Sequence, residues 1–461
     1  MSIGSRRWML SEHPARFVVV VFLGAIAVGS ALLLLPVSTA AGNSTSPLQA
    51  AFTATSAVCV TGLAVVDTGT HWSGFGQLVI LMLIELGGIG FMTIASLLLL
   101  AVSRRLGLRQ RMVTRTERAT LAIGDVRDVL VRLAVITASV QGAVALWLTV
   151  RLATAHDMPL DDAAWSGVFH AISAFNNAGF SLYPDSLTIL RSDTGVMLAV
   201  MVSIVIGGLG FPVLADIGRR NHPRGGTRRR RIAARWESLT LHSKVTISAT
   251  AALLVGATVV LGALEWTNPA TIGPMGLGEK LLNSAFMSVT PRTAGFNTVP
   301  VGEMQPASLL FTIALMFIGA GSAGTSGGIK VGTFSILALV IWSELRGEKE
   351  TTGFRRRIPA ATQREAITVA LLAVALVVGA AVALMLSRDT AMGVALFETV
   401  SAFGTVGLST GVTPDLSAWD DLVLMGLMLI GRVGPITLGA ALVLRRRPTV
   451  SRVPEEAPLI G

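Results

Sequence analysis

Charge is what this sequence has least of. Only 14% of its 461 residues are Asp, Glu, Lys or Arg, against about 25% in a soluble globular chain. So few charges cannot cover a water-facing surface, and the chain reads as an integral membrane protein. Cysteine is nearly missing too. Cys59 stands alone, which excludes an internal disulfide. No His/Cys cluster has the spacing of a metal site, and no alternation of strands and helices suggests a nucleotide-binding sheet.

What fills the chain instead is apolar sequence, 52% of residues. Runs near the ~20 residues that a bilayer demands lie at about 17–35, 77–102, 129–153, 195–214, 245–264, 309–342, 366–386 and 422–444. That predicts an all-α polytopic membrane protein with eight transmembrane helices. The first run, after Arg6 and Arg7, has the outline of a signal peptide, but it is long enough to span and more spans follow.

Between the spans of each pair sits one recurring stretch. Its copies are Ala51–Leu63, Phe169–Phe180, Phe286–Phe296 (one residue shorter) and Phe397–Leu408. Each reads as a short small-residue helix, near 46–57, 161–174, 278–289 and 391–402, running into a turn closed by glycine. The glycines are Gly62, Gly179, Gly295 and Gly407, at intervals of 117, 116 and 112 residues. A nearly fixed period means one unit used four times. The units are 17–102, 129–218, 245–342 and 366–444, with residues 1–16 before them and 445–461 after.

Net charge is +10, and its placement sets orientation. Arg104, Arg105, Arg109, Arg111, Arg115 and Arg118 lie between spans two and three. Arg219, Arg220, Arg224 and Arg228 to Arg231 lie between four and five. Arg346, Lys349 and Arg355 to Arg357 lie between six and seven, and Arg445 to Arg447 close the chain. The motif-bearing links hold only Arg191, Lys280, Arg292 and Arg388. Basic links stay cytoplasmic. Both termini are then inside, and the four re-entrant segments enter from the outer face as parallel repeats around a central pore. Arg228–Arg231 lacks the aromatic interleaving of a nucleic-acid patch, so no nucleic-acid partner is expected. A cytoplasmic partner or anionic lipid remains open for it.

Irregular backbone at membrane depth must be buried in protein or line a wet cavity. Four short helices pointing their C-terminal ends at one axis favour a cation there, since each end carries about half a negative charge. Beyond them lie Val60-Thr61-Gly62, Asn177-Ala178-Gly179, Thr293-Ala294-Gly295 and Thr405-Val406-Gly407. Their carbonyls can replace the hydration shell of a monovalent cation. Glycine reaches the unusual φ/ψ that such turns need. The plainer alternative is that small residues serve tight helix packing, but four copies in register speak against it.

The second spans repeat as well: Leu86–Phe91, Ile206–Phe211, Ile318–Gly321 and Ile430–Pro435 align. In the third unit glycines accumulate at Gly319, Gly321, Gly324, Gly327 and Gly328, ahead of Lys330. Each costs about 1 kcal/mol in a helix relative to Ala, so the sixth span should break there. In the fourth unit Arg432 replaces Gly88, Gly208 and Ala320. Arginine within a span costs at least ~2.5 kcal/mol on insertion scales and is functional by default. The alternative for Arg432 is a structural pair with Glu85 or with a cluster of backbone carbonyls. Lys330 is expected at the cytoplasmic end of the break or snorkelling to the interface. Glu85 has no acidic counterpart in the other units. Protonation, pairing and a cavity-facing position all stay open for it.

These four segments and the glycine-rich sixth span resemble the Trk/Ktr/HKT superfamily of potassium transporters over nearly the whole chain. Eight spans with little before the first resemble the Ktr (KtrB-type) membrane subunit. The resemblance implies potassium uptake through a channel-like pore, with a mobile gate loop at Gly319–Lys330 and Arg432 acting beside it. It implies a homodimer in the bilayer on a cytosolic nucleotide-binding ring of the KtrA type. No cofactor is expected in this chain. Glycine in every segment implies potassium selectivity, whereas serine in the first is associated with sodium transport. Sodium as a substrate or activator stays open, as does a coupled secondary transporter, although such carriers usually show inverted repeats. Residues flanking the filter differ among the four units (Cys59, Asn176, Arg292, Gly404), so the ring is not fourfold.

An enzyme is not expected. Gly319–Gly324 satisfies G-x-G-x-x-G with Glu344 beyond it, but the following segment is apolar and no strand precedes it. His170 reads as a packing or pore-mouth residue. Asp161 and Asp162 read as helix caps. Asp67, Asp185, Glu303 and Asp415 follow the four turns and suggest weak cation funnelling.

Overall fold

The computed structural model describes residues 14–110, 124–218 and 236–444. The basic clusters at Arg111, Arg115, Arg118, Arg219 to Arg231 and Arg445 to Arg447 lie outside the described residues. Helices α1 (Pro14–Leu33), α2 (Pro47–Cys59) and α3 (Gly74–Gln110) come first, then α4 (Gly124–Ala155), α5 (Leu160–Asn176), α6 (Thr194–Leu209) and α7 (Phe211–Gly218). Next are α8 (Leu241–Glu265), α9 (Leu277–Val289), α10 (Pro306–Phe317) and α11 (Val331–Leu345). After a two-residue β-hairpin (Thr352–Gly353 with Arg356–Arg357) come α12 (Ala360–Arg388), α13 (Met392–Gly404) and α14 (Ala418–Leu444).

Among the described residues, four helical segments are long and apolar enough to cross a membrane: Gly74–Thr93, Leu130–Ala155, Leu241–Glu265 and Ala360–Arg388. Helices α6 and α7 form a fifth candidate, bent by 95°. The short helices α2, α5, α9 and α13 share a buried phenylalanine at matching register: Phe52, Phe169, Phe286 and Phe397 are all 0% exposed.

Local chemistry explains where the short helices begin and end. Ser46 and Gln49 form a capping box at the start of α2, with Pro47 in the first turn. At its end Val60 turns left-handed (φ 57°), and two bonds close the turn, Val60 N–H to Ala57 O and Thr61 N–H to Ser56 O. Asn177/Ala178 and Thr405/Val406 repeat this closure on Ser173 and Ser401. The third unit differs. Helix α9 stops at Val289, Pro291 cannot continue it, and the positive φ falls on Thr293 (72°).

Asp161 and Asp162 do not cap α5. Pro159 occupies that position without a side-chain bond, and the two carboxylates sit in the first turn, where the positive end of the helix dipole favours their charge.

The apolar run 195–214 is not one straight helix. It bends at Gly210 (φ 89°), and Pro212 follows. The exposed carbonyls at the end of α6 are taken up from elsewhere in the chain. Gly321 N–H donates to Gly208 O (2.8 Å) and Thr325 N–H to Gly207 O (3.3 Å). Those donors come from the stretch that interrupts the sixth span, where α10 ends at Phe317 and α11 resumes at Val331.

Candidate functional site

The four predicted turns meet. The space that a Cβ on Gly62 would need is occupied by Ala178 O and by Gly179 Cα, at 3.1 Å. A Cβ on Gly179 would lie 2.9 Å from both Ala294 O and Gly295 Cα. One on Gly295 would meet Val406 O and, at 3.3 Å, Gly407 Cα. One on Gly407 would meet Thr61 O and, at 3.1 Å, Gly62 Cα. The contacts close on themselves in the order 62, 179, 295, 407. All four glycines have positive φ, between 69° and 90°. They are therefore required twice, for the backbone angle and for the space.

Side-chain hydroxyls hold the turns. Gly62 N–H donates to Ser56 Oγ (3.0 Å) and Gly407 N–H to Ser401 Oγ (3.1 Å). Ser173 Oγ donates to Phe180 O (2.8 Å), and Thr290 Oγ1 donates to Phe296 O. Val60, Thr293 and Thr405 are β-branched yet left-handed, a conformation costing roughly 1–2 kcal/mol each. The hydroxyl and turn bonds offset that cost. Thr61, Asn177, Ala178, Ala294 and Val406 complete the segments, all buried.

On one side the ring opens into a cavity of about 470 Å³, lined by the four glycines and by Asp67, Asp185 and Glu303. Asp415 ends a separate turn (Thr413–Asp415) and lies outside that lining.

Against the fourth segment lies the break in the sixth span. A Cβ on Gly328 (φ 60°) would approach Gly404 Cα at 3.1 Å, and one on Gly327 would meet the Thr405 side chain. The loop closes on itself through Gly319 N–H to Ile329 O (2.8 Å) and Val331 N–H to Ala320 O (3.0 Å). It reaches α6 through Gly321 and α14 through Gly328 N–H to Gly431 O (3.2 Å). Gly324 packs on the carbonyls of Gly208 and Gly207. Arg432 is fully buried. It donates to Thr325 O of the loop and to Gly87 O of α3 (3.0 Å). Its guanidinium lies 4.4 Å from the Phe91 ring centroid.

The sequence profile "TrkH: Cation transport protein" matches residues 11–447. The chain belongs to the TrkH family of cation transport proteins. It is 39% identical to "Ktr system potassium uptake protein B" of Bacillus subtilis, over 94% of this chain and 93% of the relative. It is 37% identical to the protein of the same description in Vibrio alginolyticus, over 97% and 94%. It is 36% identical to "Potassium/sodium uptake protein NtpJ" of Enterococcus hirae, over the full length of both. The fold is similar to the crystal structure of "the Potassium Transporter TrkH from Vibrio parahaemolyticus", with TM-score 0.72, 18% identity, and 94% and 84% of the two chains covered. This TrkH-family chain is thus a multi-pass membrane transport protein and not an enzyme.

Two sequence expectations need revision here. Lys330 does not snorkel to an interface. It is buried, donates to Ser326 O and Gly327 O, and sits 5.5 Å from the centroid of the same ring, Phe91. Loop carbonyls and an aromatic face give the ammonium local partners, so it has no need to reach water. Glu85 is not the partner of Arg432. It accepts from Gln141 Nε2 (3.0 Å) and Asn176 Nδ2 (2.6 Å) instead. The carbonyl alternative for Arg432 holds. His170 packs as expected, stacked on Tyr183 with ring centroids 5.0 Å apart.

Sequence reading missed the hydroxyl ties and Phe91. A signal existed for both. Serine stands six residues before the glycine in units one, two and four, and Phe91 has Phe211 as its aligned counterpart.

Proposed function

We propose that this chain takes up potassium through a pore on the axis of the glycine ring. The observation that carries the reading is the closure of that ring, with each glycine against the carbonyl of the next segment. Short helices end at this ring, and their C-terminal dipoles favour a cation. Carbonyls of Val60–Gly62, Asn177–Gly179, Thr293–Gly295 and Thr405–Gly407 stand in for water around the ion. Four parallel units and eight spans surround it. The acidic cavity is the outer mouth, and both termini lie in the cytoplasm of a cell whose plasma membrane holds the protein. Relatives described as potassium uptake proteins support the choice of ion.

The loop Ile318–Lys330 lies on the other side of the ring and acts as the gate, with Arg432 pinning it and opposing cation passage. The chain works as a homodimer on a cytosolic nucleotide-binding ring. Sodium transport by the same pore is the second reading, favoured by the potassium/sodium relative. The test is growth of a potassium-uptake-deficient cell at low potassium, with partner subunits co-expressed, plus competition between potassium and sodium for uptake. Rescue is expected, with potassium preferred. The variant Gly62→Ser should lose that preference. Failure of the inserted protein to rescue overturns potassium uptake, and an unchanged ion preference in the serine variant overturns the ring as filter.

A further inference from the structure

The four segments are alike in backbone but not in what stands behind them. Nine residues before its glycine, the second unit has His170 in α5, and the fourth has Glu398 in α13. Two residues after the glycine, these units have Ser181 and Ser409. In both, the helix side chain is bonded to the serine. His170 Nε2 lies 3.0 Å from Ser181 Oγ, and Ser409 Oγ donates to Glu398 Oε1 at 2.9 Å. In both, the serine then accepts from the backbone two residues on, Tyr183 N–H (3.1 Å) and Gly411 N–H (2.9 Å). The same chain of two hydrogen bonds therefore runs from the helix to the segment after the glycine twice.

Its polarity is fixed by what each atom can do. His170 Nδ1 lies 2.8 Å from Ser166 O, which only accepts, so Nδ1 carries the proton. Nε2 is left to accept the Ser181 hydroxyl. Glu398 is fully buried and uses both oxygens. Oε1 also accepts from Thr410 N–H (2.8 Å) and Thr410 Oγ1 (3.0 Å), and Oε2 accepts from Thr413 Oγ1 (3.1 Å). A buried carboxylate is tolerable only when satisfied in this way.

Units one and three lack the link. The matching positions hold Thr53 and Ala64 in the first and Met287 and Asn297 in the third. Alanine and methionine cannot supply the bond. At the position of the serine, the third unit is tied sideways, with Asn297 N–H donating to Ser186 Oγ (3.2 Å) of the second unit. By the contact order of the glycines, units two and four face each other across the ring. One diagonal carries this additional link through a serine and the other does not.

We propose that Glu398 and His170 are positioning residues, bracing one diagonal of the ring and so setting how strictly the pore discriminates potassium from sodium. The proposal rests on the ring being the filter. A size-selective ring needs its diameter held, and the bonds from His170 and Glu398 to the serines beyond the glycines add a hold on one axis. Glu398 acts through bonds rather than through charge. Its amide counterpart keeps an oxygen for Ser409 and Thr410, so Glu398→Gln should keep the preference while Glu398→Leu loses it.

The experiment measures the potassium-to-sodium uptake ratio in proteoliposomes for the wild-type protein, Glu398→Leu, Glu398→Gln, His170→Phe, Met287→Leu and Gly179→Ser. Glu398→Leu should lower the ratio roughly tenfold, and His170→Phe, which keeps the ring against Tyr183, roughly threefold. Glu398→Gln should stay within about twofold of wild type, and so should Met287→Leu on the unbraced diagonal. A Glu398→Gln ratio as low as that of Glu398→Leu overturns bracing in favour of charge. An unchanged ratio in Glu398→Leu and His170→Phe, with Gly179→Ser changed, overturns the brace alone. An unchanged ratio in Gly179→Ser as well overturns the filter and the brace with it. If Glu398→Leu does not insert, His170→Phe and Glu398→Gln decide the matter by the same criteria.

Discussion

Two stretches of irregular, glycine-rich backbone lie against each other in this protein, and they are held in opposite ways. In the glycine turns of the ring the bonds are local. Thr61, Ala178 and Val406 each donate back to a serine carbonyl five residues earlier, and serine or threonine hydroxyls add a second tie. In the loop Ile318–Lys330 many bonds are remote. Gly321 and Thr325 reach carbonyls of α6, Gly328 reaches α14, and Arg432 reaches in from α14 with its other arm on α3. Local ties move only if their own helix unwinds. Remote ties are exchanged whenever a neighbouring helix shifts. The contrast suits a fixed ring beside a movable plug, and it can be broken experimentally from either side.

The largest effect should come from the ring. In Gly179→Ala the new methyl meets Ala294 O and Gly295 Cα at 2.9 Å, both backbone, at a φ of 69°. Neither neighbour can swing away as a side chain would. Potassium uptake should fall by more than about tenfold, given the left-handed penalty of roughly 1–2 kcal/mol and the clash added to it. Uptake near wild type, with normal insertion, would mean that the turns yield and that the first half of the contrast is wrong.

The loop should respond in the other direction. Arg432→Ala removes the donor to Thr325 O and Gly87 O and one of the two cations beside Phe91. Potassium flux through the membrane subunit alone should rise several-fold, since hydrogen bonds from a charged group contribute about 1.5–3 kcal/mol each. Flux measured without any partner subunit isolates the loop from its regulation. A flux no higher than wild type would show that the loop's own bonds at Gly319 and Val331 suffice to hold it.

Why was the ring legible in the sequence while the loop's attachments were not? Left-handed backbone and close approach are demands made at one residue, and only glycine meets both. Gly62, Gly179, Gly295 and Gly407 therefore stand out by themselves, and repetition picks them from 48 glycines. The broken sixth span was legible for the same reason, because five glycines in ten residues weaken a helix locally. The bend at Gly210 was not. It depends on Gly321 and Thr325 arriving more than a hundred residues later to take the carbonyls of α6. Glu85 failed to reveal its partners on the same grounds, since Gln141 and Asn176 lie on other helices. A residue's own conformational needs are written where it stands, but a shared hydrogen bond is written in two distant places with nothing to link them.

The smallest effect is expected away from both stretches, at the rim of the second unit, and it tests whether ring and loop can be perturbed without disturbing the scaffold. Asp193 caps α6, accepting from Gly195 N–H (2.9 Å) and Val196 N–H (3.1 Å), and it binds Arg151 and His156 of the α4 end at 2.9 Å each. Burial opposes its ionisation, but the bonds from His156, Val196 and Arg151 outweigh it and hold the carboxyl below the usual carboxylate range. A depressed carboxylate pKa stabilises the folded state fully above the ordinary value, and the contribution disappears as pH falls through the depressed one. Asn can still cap the helix, so Asp193→Asn removes only the charged ties to Arg151 and His156, a loss of about 0.5–1 kcal/mol that should lower the melting temperature in detergent by roughly a degree at neutral pH. The gap to wild type should close as the pH is taken below the ordinary carboxylate range. Potassium uptake at neutral pH should stay close to wild type, because the tie touches neither the ring nor the loop. A gap that persists unchanged in acid would place the effect in packing rather than in the charge of the carboxylate.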